Sequence, residues 1–139
     1  MVFPNVEVNY LAVFVSAIVS MIIGSIWYGP LFGKQWMSLM GFTQKDIEKA
    51  KKKGMGKLYF AGFVSALVMA FVLAHFVGVF ATTVMEGIQT AFWIWIGFFA
   101  TVMLGSVLWE GKSVKLYILN VAYYIVNLII ISTILVLWR

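Results

Sequence analysis

The chain has no cysteine, two prolines, one histidine and only five acidic residues among 139. Without cysteine there is no disulfide framework and no thiolate to act as nucleophile or metal ligand. One histidine does not make a zinc site. It does not make a Ser-His-Asp triad either, because no acid lies at its depth in the chain. No Gly-rich loop follows a strand to cradle phosphates. No metal, cofactor or enzymatic activity is therefore expected. Charge is the scarcest commodity. Charged residues make up 11% and hydrophobic residues 63% of the chain, whereas a soluble domain carries about 25% charge. Such a sequence cannot cover itself with a water-facing surface. That excludes a soluble enzyme, a disordered tail and a nucleic-acid-binding module, despite a net charge of +5.

What is present is apolar and segmented; the mean hydropathy is +1.01. No Asp, Glu, Lys or Arg falls within residues 8–33, 58–85, 87–109 or 116–138, runs of 26, 28, 23 and 23 residues. At about 1.5 Å per residue, each run is long enough to cross a hydrocarbon core of roughly 30 Å. In lipid a backbone must satisfy its own hydrogen bonds, and period-two alternation is lacking, so the runs are helices and not barrel strands. The sequence predicts an all-α, polytopic membrane four-helix bundle in a single membrane domain, 1–139. Its spans lie at about 9–31, 58–80, 88–109 and 116–138, with a loop at 32–57.

The lysines orient it. Lys34, Lys45, Lys49, Lys51, Lys52, Lys53 and Lys57 lie between spans one and two, and Lys112 and Lys115 between spans three and four. The other side holds Arg139 with Glu7 and Glu86. The positive-inside rule then puts both lysine-bearing loops in the cytoplasm and both termini outside an inner or plasma membrane. Trp27, Tyr28, Trp36, Tyr59, Trp109 and Tyr117 near one boundary, and Tyr10 and Trp138 near the other, fit interfacial belts.

Inside the 32–57 loop, Thr43-Gln44-Lys45-Asp46 resembles a capping box with Asp in the acidic position. It predicts a short amphipathic helix over Gln44–Lys53, stopped by Gly54. The basic Lys45–Lys57 segment suits an anionic-lipid surface; the plainer reading is a topology signal. Ahead of it, Pro30 lacks an N–H and predicts that span one ends or kinks near Gly29.

Two echoes recur in order. Gly24-Ser25-Ile26-Trp27-Tyr28-Gly29 is answered by Gly105-Ser106-Val107-Leu108-Trp109-Glu110-Gly111, and Lys57-Leu58-Tyr59 by Lys115-Leu116-Tyr117. Either the bundle is two pseudo-repeated hairpins about an axis normal to the membrane, or apolar helices resemble one another by composition. Small residues recur every four positions: Ala12, Ser16, Ser20 and Gly24 on span one; Gly62, Ala66, Ala70 and Ala74 on span two; Gly97, Thr101 and Gly105 on span three. Each set is a face on which helices approach closely, within one chain or across a homo-oligomer seam.

Polar residues at depth are few. Ser20, Thr101 and Asn127 sit near the centres of their runs and predict a midplane layer, with Asn120, Tyr124 and Asn127 on one face of span four. Such a layer serves either as interhelical glue or as a solute site. Tyrosines aside, His75 is the only ionisable side chain within the runs. It is either a satisfied structural histidine or a functional group, with Glu86 as its nearest outside carboxylate. Glu110, beside Trp109, either closes a surface ion pair with Lys112 or Lys115 or orders the mouth on that side.

The run Trp27-Tyr28-Gly29-Pro30-Leu31-Phe32-Gly33-Lys34-Gln35-Trp36 resembles a bacterial and archaeal domain-of-unknown-function family of small four-span membrane proteins. So do Leu73-Ala74-His75-Phe76, Phe92 to Phe98, Leu108-Trp109-Glu110-Gly111-Lys112 and Leu119-Asn120. The resemblance implies a four-helix membrane protein without an established activity. It points to Trp27, Gly29, Pro30, His75, Trp93, Glu110 and Asn120 as the first positions to inspect. Two functions remain in competition. One is a non-catalytic helix-packing module that oligomerises in the bilayer. The other is a small channel or carrier for a neutral or weakly charged solute, using the midplane layer.

Overall fold

The computed structural model describes residues 5–139. Every regular element among them is helical, and four helices are long and apolar enough to cross a membrane: Tyr10–Leu31, Gly56–Phe80, Val84–Leu108 and Val114–Leu137. Span one is α1 (Tyr10–Ile26) followed by a π-helical turn, Trp27–Leu31. Two short helices follow, α2 (Gly33–Met40) and α3 (Gln44–Lys53). Span two is α4 (Gly56–Phe80). Span three is broken into α5 (Val84–Ile94), a second π-turn (Trp95–Phe99), α6 (Ala100–Met103) and α7 (Gly105–Leu108). Span four is α8 (Val114–Leu137).

Local chemistry sets these ends. Asn9 caps span one by accepting from the Leu11 and Ala12 amides at 3.1 and 3.2 Å, and its side-chain amide donates to the Trp138 carbonyl at 3.3 Å. Thr43 and Asp46 form the expected capping box on α3, and Gly54 closes that helix. A second box, Thr83 with Glu86, starts span three earlier than the charge-free run suggests and draws Glu86 into the first helical turn. Pro30 does not end span one. The helix widens instead, the Phe32 amide reaching five residues back to the Trp27 carbonyl at 2.9 Å. The wider turn accommodates the missing donor and the ring's clash with the preceding turn. The chain then turns at Phe32 into α2.

The spans pair as two hairpins, one with two and three with four. Span four also packs against spans one and two, so it is the central helix. Of the most apolar 18-residue stretch of each span, 39% is buried in span four and only 11% in span three. The apolar core lies toward the end away from the lysines, where Ala12, Val13, Ala70, Leu73, Val77, Ala91, Leu128, Ile131 and Leu135 meet. Spans two and three touch weakly, leaving a wholly apolar cleft of about 280 Å³ between Met69, Leu73, Phe76 and Phe98.

The small-residue faces divide. Ala12, Ser16 and Ser20 are buried, as are Ala66 and Ala70, with Gly62 and Ala74 half-buried; a Cβ on Gly62 would meet the Met21 thioether at 3.7 Å. These two faces are used up in packing within the chain, span one against both span two and span four. On span three, Gly97 and Thr101 are exposed and Gly105 is half-exposed, so its predicted face points away from the bundle. The inward line is instead Gly87, Ala91, Trp95 and Ala100. Its last step is five residues because the π-turn inserts one. A Cβ on Gly87 would come within 2.7 Å of Val136, so this glycine lets span three sit on span four.

Candidate functional site

The lysine-bearing end of the bundle is built from aromatic donors fastened to helix carbonyls. Trp27 donates its indole N–H to the Leu119 carbonyl at 3.2 Å, and Trp95 donates to Val121 at 2.8 Å. Tyr117 returns a bond from span four to the Ala100 carbonyl at 2.6 Å. Tyr28 donates to Asn120 Oδ1 at 2.7 Å. An aromatic ring buries a large apolar body while its polar tip finds an acceptor, which suits a membrane boundary. The rings of Tyr28, Tyr123, Tyr124 and Phe99 form a chain with centroids 4.9–5.4 Å apart.

Beside these contacts, and sharing Asn120 with them, lies a groove of about 530 Å³ between α2, the broken end of span three and the start of span four. Trp36, Met40, Trp109, Glu110, Lys112 and Asn120 are among its lining residues. Trp36 is held edge-on by Tyr28 on one side and Phe42 on the other, with centroids 5.8 and 5.4 Å away. Gly111 adopts a left-handed φ of 68°, and the Lys112 amide bonds back to the Ser106 carbonyl at 3.0 Å. That closed turn brings Glu110 and Lys112 to one rim. Among the described residues neither forms a salt bridge, which leaves ordering of the groove's mouth as the reading of Glu110.

The midplane polar layer is only partly assembled. Asn127 and Ser16 are fully buried, Ser20 is 3% exposed, and Ser132 joins them at 0%. The hydroxyls of Ser16, Ser20 and Ser132 and both polar atoms of Asn127 have no hydrogen-bond partner among the described residues. Tyr123 reaches the Ser20 carbonyl at 3.4 Å, placing Ser20 and Tyr123 at one depth. Thr101 does not belong to the layer. It faces outward and returns its hydroxyl to the Gly97 carbonyl at 2.7 Å, the self-satisfying bond of a lipid-facing threonine.

Residues 11–136 match the family model described as "Protein of unknown function (DUF1761)". The chain belongs to that family. No curated protein and no solved structure matches it.

Within this family member, the residues that carry the resemblance fall in two places. Trp27, Tyr28, Trp36, Glu110, Lys112 and Asn120 gather at the lysine-bearing end. Gly29 and Pro30 lie beside them on the exposed side of the π-turn. Gly29 has open space around it, whereas a Cβ on Gly33 would fall 2.8 Å from the Tyr28 carbonyl, making Gly33 the sterically required glycine. His75 and Trp93 lie toward the other end. His75 Nδ1 is 2.8 Å from the Phe71 carbonyl; a carbonyl only accepts, so that nitrogen carries the hydrogen. Glu86 is committed to its cap, its carboxylate taking the Thr82 amide at 2.6 Å and the Thr82 hydroxyl at 2.8 Å. Trp93 is 70% exposed and lines a groove of about 540 Å³ with Phe76, Glu86 and Thr90.

Sequence reasoning missed three things. The Gly87–Ala91 step was present as spacing. Ser16 and Ser132 as unpaired core hydroxyls carry no sequence signal beyond polarity in an apolar run. The convergence of Trp36 with Glu110 and Lys112 is purely tertiary.

Proposed function

We propose that this protein is a non-catalytic membrane module that assembles with copies of itself through the outward face of span three. One observation carries the reading. Three helices bear small-residue lines, two of these are consumed inside the chain, and the third, at Gly97 and Thr101, is left uncovered on the least buried span. Without a hydrophobic force between helices in lipid, close backbone approach over small residues is the main way to gain contact. A helix that buries so little of itself at home gains most from a partner. In this reading the lysine-bearing loops face the cytoplasm, and the exposed lysines of α3 suit an anionic lipid surface. Native mass spectrometry of the detergent-released protein tests the assembly. A defined homo-oligomer that Thr101→Leu reduces to monomer supports it, and a monomer at all concentrations in mild detergent overturns it.

A second reading is favoured by a separate observation. The unpaired polar atoms of Ser16, Ser20, Asn127 and Ser132 lie between spans rather than on their surface, as a path or site for a neutral solute requires. Solute flux in vesicles that Asn127→Leu abolishes would promote this carrier reading over the first.

A further inference from the structure

The groove at the lysine-bearing end presents one negative and one positive side chain, neither of them paired with an opposite charge within the described chain. Glu110 and Lys112 share the groove with the indoles of Trp36 and Trp109. Trp109 is 85% exposed, and its ring edge lies 3.7 Å from where a Cβ on Gly105 would be. Asn120 has spent its carbonyl oxygen on Tyr28. Its side-chain N–H groups have no acceptor among the described residues. The groove therefore offers a carboxylate, an ammonium, an amide donor and two indole rings.

Its depth is as informative as its chemistry. Trp109, Glu110 and Lys112 lie just past Leu108, the last residue of span three, while Asn120 is six residues inside span four, which begins at Val114. Six residues are about 9 Å of helix. Where the spans cross a bilayer, the groove therefore lies at one end of spans three and four, at the depth of phospholipid headgroups and their ester linkages. A second groove, of about 370 Å³, lies on another side of α2 and has only lysines, Lys34 and Lys115, as its charged lining. The two grooves differ in charge pattern.

We infer that the Glu110–Lys112 groove binds the headgroup of an amine-bearing zwitterionic phospholipid, phosphatidylethanolamine in class. The lipid ammonium is received by the Glu110 carboxylate. The phosphate is received by Lys112 and the Asn120 amide. The charge pattern selects among lipids. A glycerol headgroup brings a phosphate but no cation, leaving Glu110 next to an anion. A choline headgroup brings a cation with no N–H to donate to the carboxylate.

The test uses the full chain in nanodiscs containing equal amounts of phosphatidylethanolamine, phosphatidylglycerol and phosphatidylcholine, followed by native mass spectrometry of the released protein. The expected result is retention of phosphatidylethanolamine over each of the others by about tenfold, the scale of one charge-assisted contact. Glu110→Gln should lower the ratio of phosphatidylethanolamine to phosphatidylglycerol at least threefold. Lys112→Gln should weaken retention of both. Lys34→Gln, in the neighbouring groove, should leave the ratio unchanged. Unchanged helical circular dichroism for each variant establishes that it is folded. Equal retention of the three lipids by the unaltered protein, or a preference that Glu110→Gln does not move, overturns the inference. Neither result depends on the oligomeric state.

Discussion

Tyr28 and Asn120, 92 positions apart, are joined by a hydrogen bond of 2.7 Å that ties the π-turn of span one to the first turns of span four. Beside it the Trp27 indole holds the neighbouring carbonyl of Leu119. The Trp-Tyr-Gly-Pro run and the Leu-Asn pair, which read as separate motifs along the chain, are thus two halves of one fastening. Both aromatic residues sit in the widened turn that contains Pro30.

This pair should be energetically coupled. Tyr28→Phe and Asn120→Leu are each expected to cost about 0.5–1.5 kcal/mol, and the double variant less than their sum, because each single change strands the other group. Steric trapping or denaturant unfolding in detergent over a double-mutant cycle measures the coupling. Strict additivity would mean that the bond does not contribute.

Asn127→Leu should stabilise the protein. The amide is fully buried with neither polar atom paired among the described residues, and an unsatisfied buried polar group costs about 1–3 kcal/mol. Leucine is of similar shape, so the gain should be about 1 kcal/mol or more in the same unfolding assay. A loss of stability would show that the amide is engaged in the folded protein.

The two glycines of the π-turn region should respond oppositely. Gly33→Ala places a methyl 2.8 Å from the Tyr28 backbone carbonyl, a contact that requires the backbone to move, at a cost of about 1–3 kcal/mol. Gly29→Ala meets nothing within 4 Å and should be neutral or mildly stabilising. Thermal melts of the two variants in one detergent decide it.

The start of α3 should depend on pH. Hydrogen bonds from the Thr43 amide and hydroxyl hold the Asp46 carboxyl below its ordinary value. A carboxylate depressed in the folded state stabilises it above the unfolded pKa, and the contribution fades as pH falls through the folded pKa. Amide exchange at Asp46 and Ile47 should therefore accelerate, beyond its intrinsic pH dependence, as pH drops below the usual carboxylate range. Asp46→Asn should remove that dependence.

What the sequence made legible was local. Charge-free runs gave the four spans because lipid tolerates little else, and Thr43 with Asp46 gave α3 because a capping box involves residues three apart. The direction in which a span faces was not legible in the same way. Ser16 and Ser20 have the same spacing as Gly97 and Thr101, yet the first pair is buried and the second exposed. Superposing the two echoes therefore matches residues in unlike surroundings. A period of four identifies a face without saying what it meets, and the π-turn at Trp95–Phe99 shifts the inward line by one residue. The groove at Glu110 was visible only as isolated residues, since Trp36 is brought to it by α2, which follows the break at Phe32.

The most direct test of the central claim uses the absence of native cysteine. Single cysteines at Gly97, Thr101, Ile18 and Val68, all exposed on their spans, are oxidised in native membranes and resolved by non-reducing electrophoresis. Self-assembly through span three predicts strong disulfide dimers at Gly97→Cys and Thr101→Cys, with little at Ile18→Cys or Val68→Cys. Equal cross-linking at all four positions, or none on span three, would contradict it.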